Sequence, residues 1–247
     1  MDADLLHPTE TARDRFERIH LTLRDRICLL DYAPGARLSE QALAEEFGTS
    51  RTPLRRVLVR LEGEGLLRSV QGVGTFVTDV SIEELEPIYE LRVELAELLG
   101  TLGARQPDAR LWKQMRAIPE LLGELADDDS AGPRRFGELN LEFFRAFHQI
   151  TTNEPLRQIS ERLFFQTSRI WLKIMASGRL SVAAEASVFQ KEVSEVLRAL
   201  DIGDIRSAAL IHCAHISMSY LRMRRGAAPD GGPPSGTTGQ SPAPQVQ

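Results

Sequence analysis

Apolar residues at Phe16, Ile19, Leu23, Ile27 and Leu30 recur every three or four positions and stop before Pro34 and Gly35, which predicts a first amphipathic helix. Ser39 is placed to cap a short second helix that buries Leu43 and Phe47 and ends at Gly48. Ser50 is placed to cap a third, where Pro53 is tolerated because first-turn amides have no intrahelical acceptor. Leu54, Val57, Leu58 and Leu61 give this helix its apolar side. Two short strand-like runs follow, 66–70 and 75–77, around Gln71, Gly72, Val73 and Gly74, whose glycines permit a tight reversal. Three helices and a β-hairpin in this order predict a winged helix-turn-helix.

Past Val80 no strand pattern occurs, and apolar periodicity predicts helices near 82–104, 108–127, 134–151, 155–177, 182–201 and 204–224. Ser81 and Glu84 have capping-box spacing, and Asp204 is a plausible cap for the last helix. The expected fold class is mainly α, a winged helix-turn-helix followed by an all-α helical bundle. The first dozen residues lack a helical period, and the tail from Gly226 is rich in Gly, Pro, Ser, Thr and Gln. Such segments bury too little apolar area to offset chain entropy. The expected division is a disordered 1–13, a winged domain over 14–78, a linker over 79–81, a helical domain over 82–225 and a disordered tail over 226–247.

Composition narrows the function. A chain of 247 residues, 42% hydrophobic and 26% charged, can bury a core of ordinary size in two domains. No leader peptide and no run near the ~18 apolar residues of a membrane span is evident, so a cytoplasmic protein with no membrane partner is expected. Cys28 and Cys213 lack metal or disulfide spacing and read as buried free thiols. A net charge of -5 argues against nonspecific coating of nucleic acid, which needs broad phosphate neutralisation. Yet from Ser50 to Thr78 five arginines, Arg51, Arg55, Arg56, Arg60 and Arg68, face only Glu62 and Glu64. Arg51 and Arg55 are one turn apart, as are Thr52 and Arg56, roughly opposite the apolar side of the third helix. Guanidinium groups bond guanine edges, while the Ser50 and Thr52 hydroxyls and the helix N-terminus suit phosphate oxygens. The competing explanation is that these arginines only solvate an amphipathic helix.

The segments Ala33-Pro-Gly-Ala-Arg-Leu-Ser-Glu, Leu43-Ala-Glu-Glu-Phe-Gly, Ser50-Arg-Thr-Pro-Leu-Arg, Leu61-Glu-Gly-Glu-Gly-Leu-Leu and Gly72-Val-Gly-Thr-Phe-Val closely resemble the GntR family of bacterial regulators over roughly residues 14–78. The resemblance implies a homodimer on an inverted-repeat DNA operator, with Ser50, Arg51, Thr52, Arg55 and Arg56 near the duplex and the wing, at Gln71 and Gly72, in the minor groove. Gln41 stands where several relatives carry a basic residue. The C-terminal part resembles the FCD ligand-binding domain of the FadR-type subgroup through Leu91-Arg92, Phe147-His148, Asn153, the 199–204 segment and His215. Many FCD domains hold a divalent metal with one Asp and three His. Here Phe144 and Val193 occupy two of those positions and only His148 and His215 remain, so no metal and no other cofactor is expected.

Periodicity still predicts a polar-lined cavity. Arg92 falls within the stripe Ile88, Leu91, Leu95, Leu99 and Leu102, and a buried arginine needs an anionic partner. Asn140, Phe144 and His148 form a column four residues apart, and His212 lies among Ile205, Ala208, Ala209 and Ile216. Trp171 and Thr167 are weaker candidates. The expected ligand is a small anionic metabolite, an organic or fatty acid derivative, bound by Arg92 with Asn140, His148 and His215, in a protein expected to act as a repressor. An internal salt bridge for Arg92 and carbonyl-satisfied core histidines are the bland alternatives. A metal sensor using His148, His212 and His215 is one rival. A metal-dependent hydrolase is another, disfavoured because no nucleophile-base pair, HExxH or phosphate loop occurs, and no enzyme is expected.

Overall fold

The computed structural model describes residues 10–79, 81–126 and 129–227. Helix α1, Ala12–Cys28, opens with a capping box in which Thr11 and Asp14 satisfy each other's first-turn amides. The rest of the expected disordered N-terminus, 1–9, and the tail beyond Ala227 lie outside the described residues. Ile19, Leu23, Ile27 and Cys28 form the buried face of α1. Leu30, expected on that stripe, instead lies beyond the helix end with a left-handed φ of 63°.

Helix α2, Glu40–Glu46, is capped by Ser39, whose side chain accepts from the Ala42 amide. Helix α3, Arg51–Gly63, buries Leu54, Val57, Leu58 and Leu61 as predicted, but the Ser50 side chain makes no capping bond, contrary to expectation. Strands β2, Leu67–Val70, and β3, Gly74–Val77, form the hairpin. A two-residue strand β1, Arg37–Leu38, went unpredicted; it pairs antiparallel with β3 to give the order β1-β3-β2, with Arg37 opposite Phe76. Two residues carry no readable period, which explains the miss.

A 3-10 turn, Glu83–Leu85, leads into α4, Glu86–Leu98. This helix is shorter than the expected 82–104, and its stripe is shifted. Leu91 and Leu102 are exposed, while Leu85, Tyr89, Ala96 and Leu99 are buried. The buried positions run 85, 89, 96 and 99, and the half-buried Arg92 falls in the same row, so it still points along the inner face. Helices α5, Ala109–Gly123, α6, Gly132–Phe147, α7, Glu154–Ala176, α8, Val182–Asp201, and α9, Ile205–Ala227, complete the bundle. His148 lies in a 3-10 turn just past α6.

Two cores meet at α6 and α7. The bundle core centres on Met115, Phe143, Phe147, Val193 and Val196. The winged-helix core, built on Leu23, Ile27, Leu54 and Leu61, extends into the bundle through Leu141, Phe144, Phe164 and Phe165. Polar ties reinforce this seam. Arg145 and Arg134 pair with Asp25 and Asp31, Gln166 Nε2 donates to the Glu64 carbonyl at 2.8 Å, and Arg169 Nη2 donates to Thr78 Oγ1 at 2.6 Å.

Candidate DNA interface and ligand cavity

At the start of α3, Arg51, Thr52, Arg55 and Arg56 are all exposed. Neighbouring side chains of α2 hold two of them loosely. Arg51 Nη2 donates to Gln41 Oε1 at 3.1 Å, and Arg55 Nε donates to Glu40 Oε2 at 2.7 Å while its side chain stays 65% exposed. Exposed pairs of this kind contribute about 0–1 kcal/mol, so a phosphate or base edge can displace them. Ser50 is exposed at the N-cap, with its hydroxyl free of the cap bond.

Gln71 and Gly72 form the exposed hairpin tip, and Gly72 has the left-handed φ of 73° that the reversal requires. An open groove runs from this tip to α2 and α3, lined by Ser39, Glu40, Arg55, Gln71 and Gly72. Arg37 on β1 also lines it and is exposed. Sequence reading missed this cation because the strand that positions it was missed.

The second site lies inside the bundle. Arg92, Asn140, Phe144, Trp171, His212 and His215 line one cavity, whose empty space, mouth included, is about 870 Å³. His148 does not line it. His148 borders a smaller adjoining space of about 220 Å³ together with Arg92, Phe144 and Ser160, and its Nδ1 is 2.9 Å from the Phe144 carbonyl. The expected convergence therefore holds for five of the polar and aromatic candidates besides Arg92, and His148 stands behind Phe144.

Arg92 Nη1 donates to Thr167 Oγ1 at 2.7 Å, and the guanidinium lies 4.8 Å from the Tyr89 ring centroid and 5.4 Å from that of Phe164. Among the described residues no carboxylate forms an ion pair with it, which departs from the internal salt bridge held open above. Burial pushes its pKa down. On α8, Glu185 pairs with Arg222 Nε at 3.1 Å. Glu192, also on α8, lies 3.0 Å from His212 Nδ1 and 3.7 Å from His215 Nδ1.

Close approach favours a charged Glu192–His212 pair, but burial opposes both charges. Desolvation pushes Glu192 up to about 8, and desolvation with the neighbouring Arg92 and His215 pushes His212 down to about 3. Burial therefore works against charge on both members of the pair. Burial likewise holds His148 well below its usual value.

Sequence reading missed Glu192 and Glu185. The run Glu185, Phe189, Glu192, Val196 has the spacing of an inner face, the same sign that singled out Arg92. Cys28 is buried and free, and Cys213 is half-buried rather than buried.

A metal ion does not fit this donor set. Phe144 fills the space an Asp would need, its ring centroid 3.8 Å from both the His148 and Phe164 rings. His148 and His212 rings are 6.2 Å apart, and no group of three or more His, Cys, Asp or Glu among the described residues is arranged to hold an ion. The metal-sensing rival has no support in this geometry.

A winged helix-turn-helix joined to a helical bundle is the architecture of DNA-binding transcriptional regulators. Residues 16–77 match the bacterial regulatory proteins of the gntR family, and residues 87–218 match the FCD domain. The chain belongs to the GntR family, in the group whose DNA-binding domain is followed by an FCD domain, and is a transcriptional regulator rather than an enzyme. It is 31% identical over 84% of both chains to an "uncharacterized HTH-type transcriptional regulator in unstable DNA locus" of Streptomyces ambofaciens. It is 28% identical, over 76% of this chain and 78% of the other, to the "probable D-xylose utilization operon transcriptional repressor" of Paenarthrobacter nicotinovorans. In fold it is similar to E. coli McbR/YncC, with a TM-score of 0.69 at 21% identity over 85% of this chain and 97% of that one. No helix among the described residues is long and apolar enough to cross a membrane.

Proposed function

We propose that this regulator is a cytoplasmic repressor whose hold on an inverted-repeat operator is modulated by a small organic anion in the bundle cavity. The observation that carries the ligand reading is Arg92, a guanidinium facing an aromatic-walled cavity with no carboxylate in an ion pair with it among the described residues. Arg222 is matched by Glu185, Glu192 is engaged with His212, and burial disfavours charge on that pair, which leaves Arg92 as the cation open to an anionic ligand. A ligand with one carboxylate matches that charge, and Tyr89, Phe136, Phe189 and Trp171 offer its body an apolar bed. Asn140 and His215 supply further hydrogen bonds, and His148 supports Phe144 from behind.

Arg51, Arg55 and Arg56, with Ser50 and Thr52, are assigned to the major groove, and Gln71 and Gly72 to the minor groove, with Gln41 beside Arg51. The linker between the two domains is assigned to 79–81, as the sequence pattern suggests. Two copies are needed to read a twofold operator, and the outward faces of α4 and α9 carry exposed Leu91, Leu98, Leu210, Met218 and Leu221, an apolar surface suited to a second copy.

Calorimetric titration with benzoate and hexanoate against succinate tests the ligand reading. Saturable heat with the monocarboxylates that is lost in Arg92→Ala supports it. Equal binding to the wild type and the variant rejects Arg92 as the anchor.

A further inference from the structure

The cavity is not walled by the FCD domain alone. Cys28 and Leu29, at the C-terminal end of α1 in the DNA-binding domain, line it together with Arg92, Asn140, Phe144 and Trp171. Leu29 is seated between α6 and α7 because α6 carries glycine there. A Cβ added to Gly137 would lie 3.1 Å from Leu29 Cδ2 and 2.8 Å from Leu172 Cδ1, closer than packed carbons tolerate. Leu29 and Leu30 both pack on the bundle core, not on their own domain's core.

The backbone is arranged to permit this. Leu30 has a φ of 63°, a conformation that costs a residue with a Cβ about 1–2 kcal/mol. Glycine is the usual choice at such a helix end. Docking of the leucine side chain offsets the strain, and the turn is closed by the Asp31 amide donating to the Arg26 carbonyl at 2.8 Å. On the other side of the contact, Cys28 Sγ donates to the Phe165 carbonyl at 3.6 Å. Helix α7 presents both surfaces. Phe164, Ser168, Trp171 and Leu172 line the cavity, while Phe165, Gln166 and Arg169 hold α1, the end of α3 and Thr78.

We propose that the ligand site is an interdomain site, in which Cys28 and Leu29 of the DNA-binding domain form part of the surface that a carboxylate ligand touches. This rests on the reading of the cavity as the site of an organic anion. Its consequence is direct coupling. A ligand that contacts both domains binds one placement of the winged helix better than another, and that differential affinity is what shifts a two-state equilibrium. No relay through distant residues is needed.

Photolabelling of the intact protein with 4-azidobenzoate, followed by tryptic mapping, tests this. Label that excess benzoate removes is expected on peptide 27–37 as well as on peptides of α6 and α7. Label confined to FCD-domain peptides overturns the interdomain site and leaves the anion reading standing. Absence of any benzoate-sensitive label overturns both. A second measurement uses Leu29→Trp, which fills the wall without touching Arg92. Benzoate affinity is expected to fall at least tenfold in a variant that unfolds as cooperatively as wild type, and unchanged affinity in it also overturns the proposal.

Discussion

The two ends of this regulator handle positive charge in opposite ways. At the start of α3 the arginines stand in solvent, tethered to Glu40 and Gln41 by bonds that water weakens. In the bundle, Arg92 is drawn among Tyr89, Phe164 and Thr167, and among the described residues no carboxylate forms an ion pair with it. A surface that must meet a polyanion of variable sequence keeps its cations hydrated and mobile, and gains affinity by displacing counterions. A cavity that must select one small molecule removes water first, so that a single unpaired charge discriminates strongly.

If that contrast is right, Arg92→Ala has the largest effect. Losing a buried charge-assisted hydrogen bond costs about 1.5–3 kcal/mol, so carboxylate affinity by calorimetry falls roughly 10- to 150-fold, while operator affinity in the absence of ligand stays within about twofold. Arg51→Ala inverts the pattern. Operator affinity falls by about 1–3 kcal/mol with relaxed preference at one base position, measured by fluorescence anisotropy on selected operator fragments, and carboxylate binding is untouched.

A third comparison concerns pH. The folded pKa of Glu192 is raised from an ordinary 4.5 to about 8. The stability associated with its neutral form is therefore complete below pH 4.5 and is lost as pH rises through 8. Thermal unfolding of Glu192→Gln should lack that loss, so the wild type melts progressively lower relative to the variant between pH 5 and 9. Parallel profiles would show instead that Glu192 is ionised against His212. The smallest effect is expected from Glu40→Gln. Freeing Arg55 from a surface pair raises operator affinity by no more than about fivefold, with a steeper salt dependence.

Much of the DNA-binding half was legible because its signals are local. The positions 19, 23 and 27, the serine before α2, and the arginines one turn apart on α3 each lie within a few residues of the feature they specify. The bundle was legible as helices and less so as a site. Arg92 stood out because a cation interrupting an apolar stripe is conspicuous, although the stripe itself was placed one step out of phase, putting Leu91 inside instead of Tyr89. Glu192 was not readable as a site residue, because its partner His212 lies on another helix, twenty residues further along the chain. The contribution of Cys28 and Leu29 was not readable, since their partners Phe165, Gly137 and Leu172 lie more than a hundred residues away along the chain.

The little strand β1 acts as a splint between the two parts of the proposed DNA contact. Its backbone pairs Arg37 and Leu38 with Phe76 and Thr75 of the wing, and the next residue, Ser39, starts α2, which holds the arginines of α3. The wing and the start of α2 are thus joined by main-chain bonds that do not depend on the arginine side chains. Re-engineered arginines would change which bases are preferred while leaving the length of duplex protected from cleavage the same.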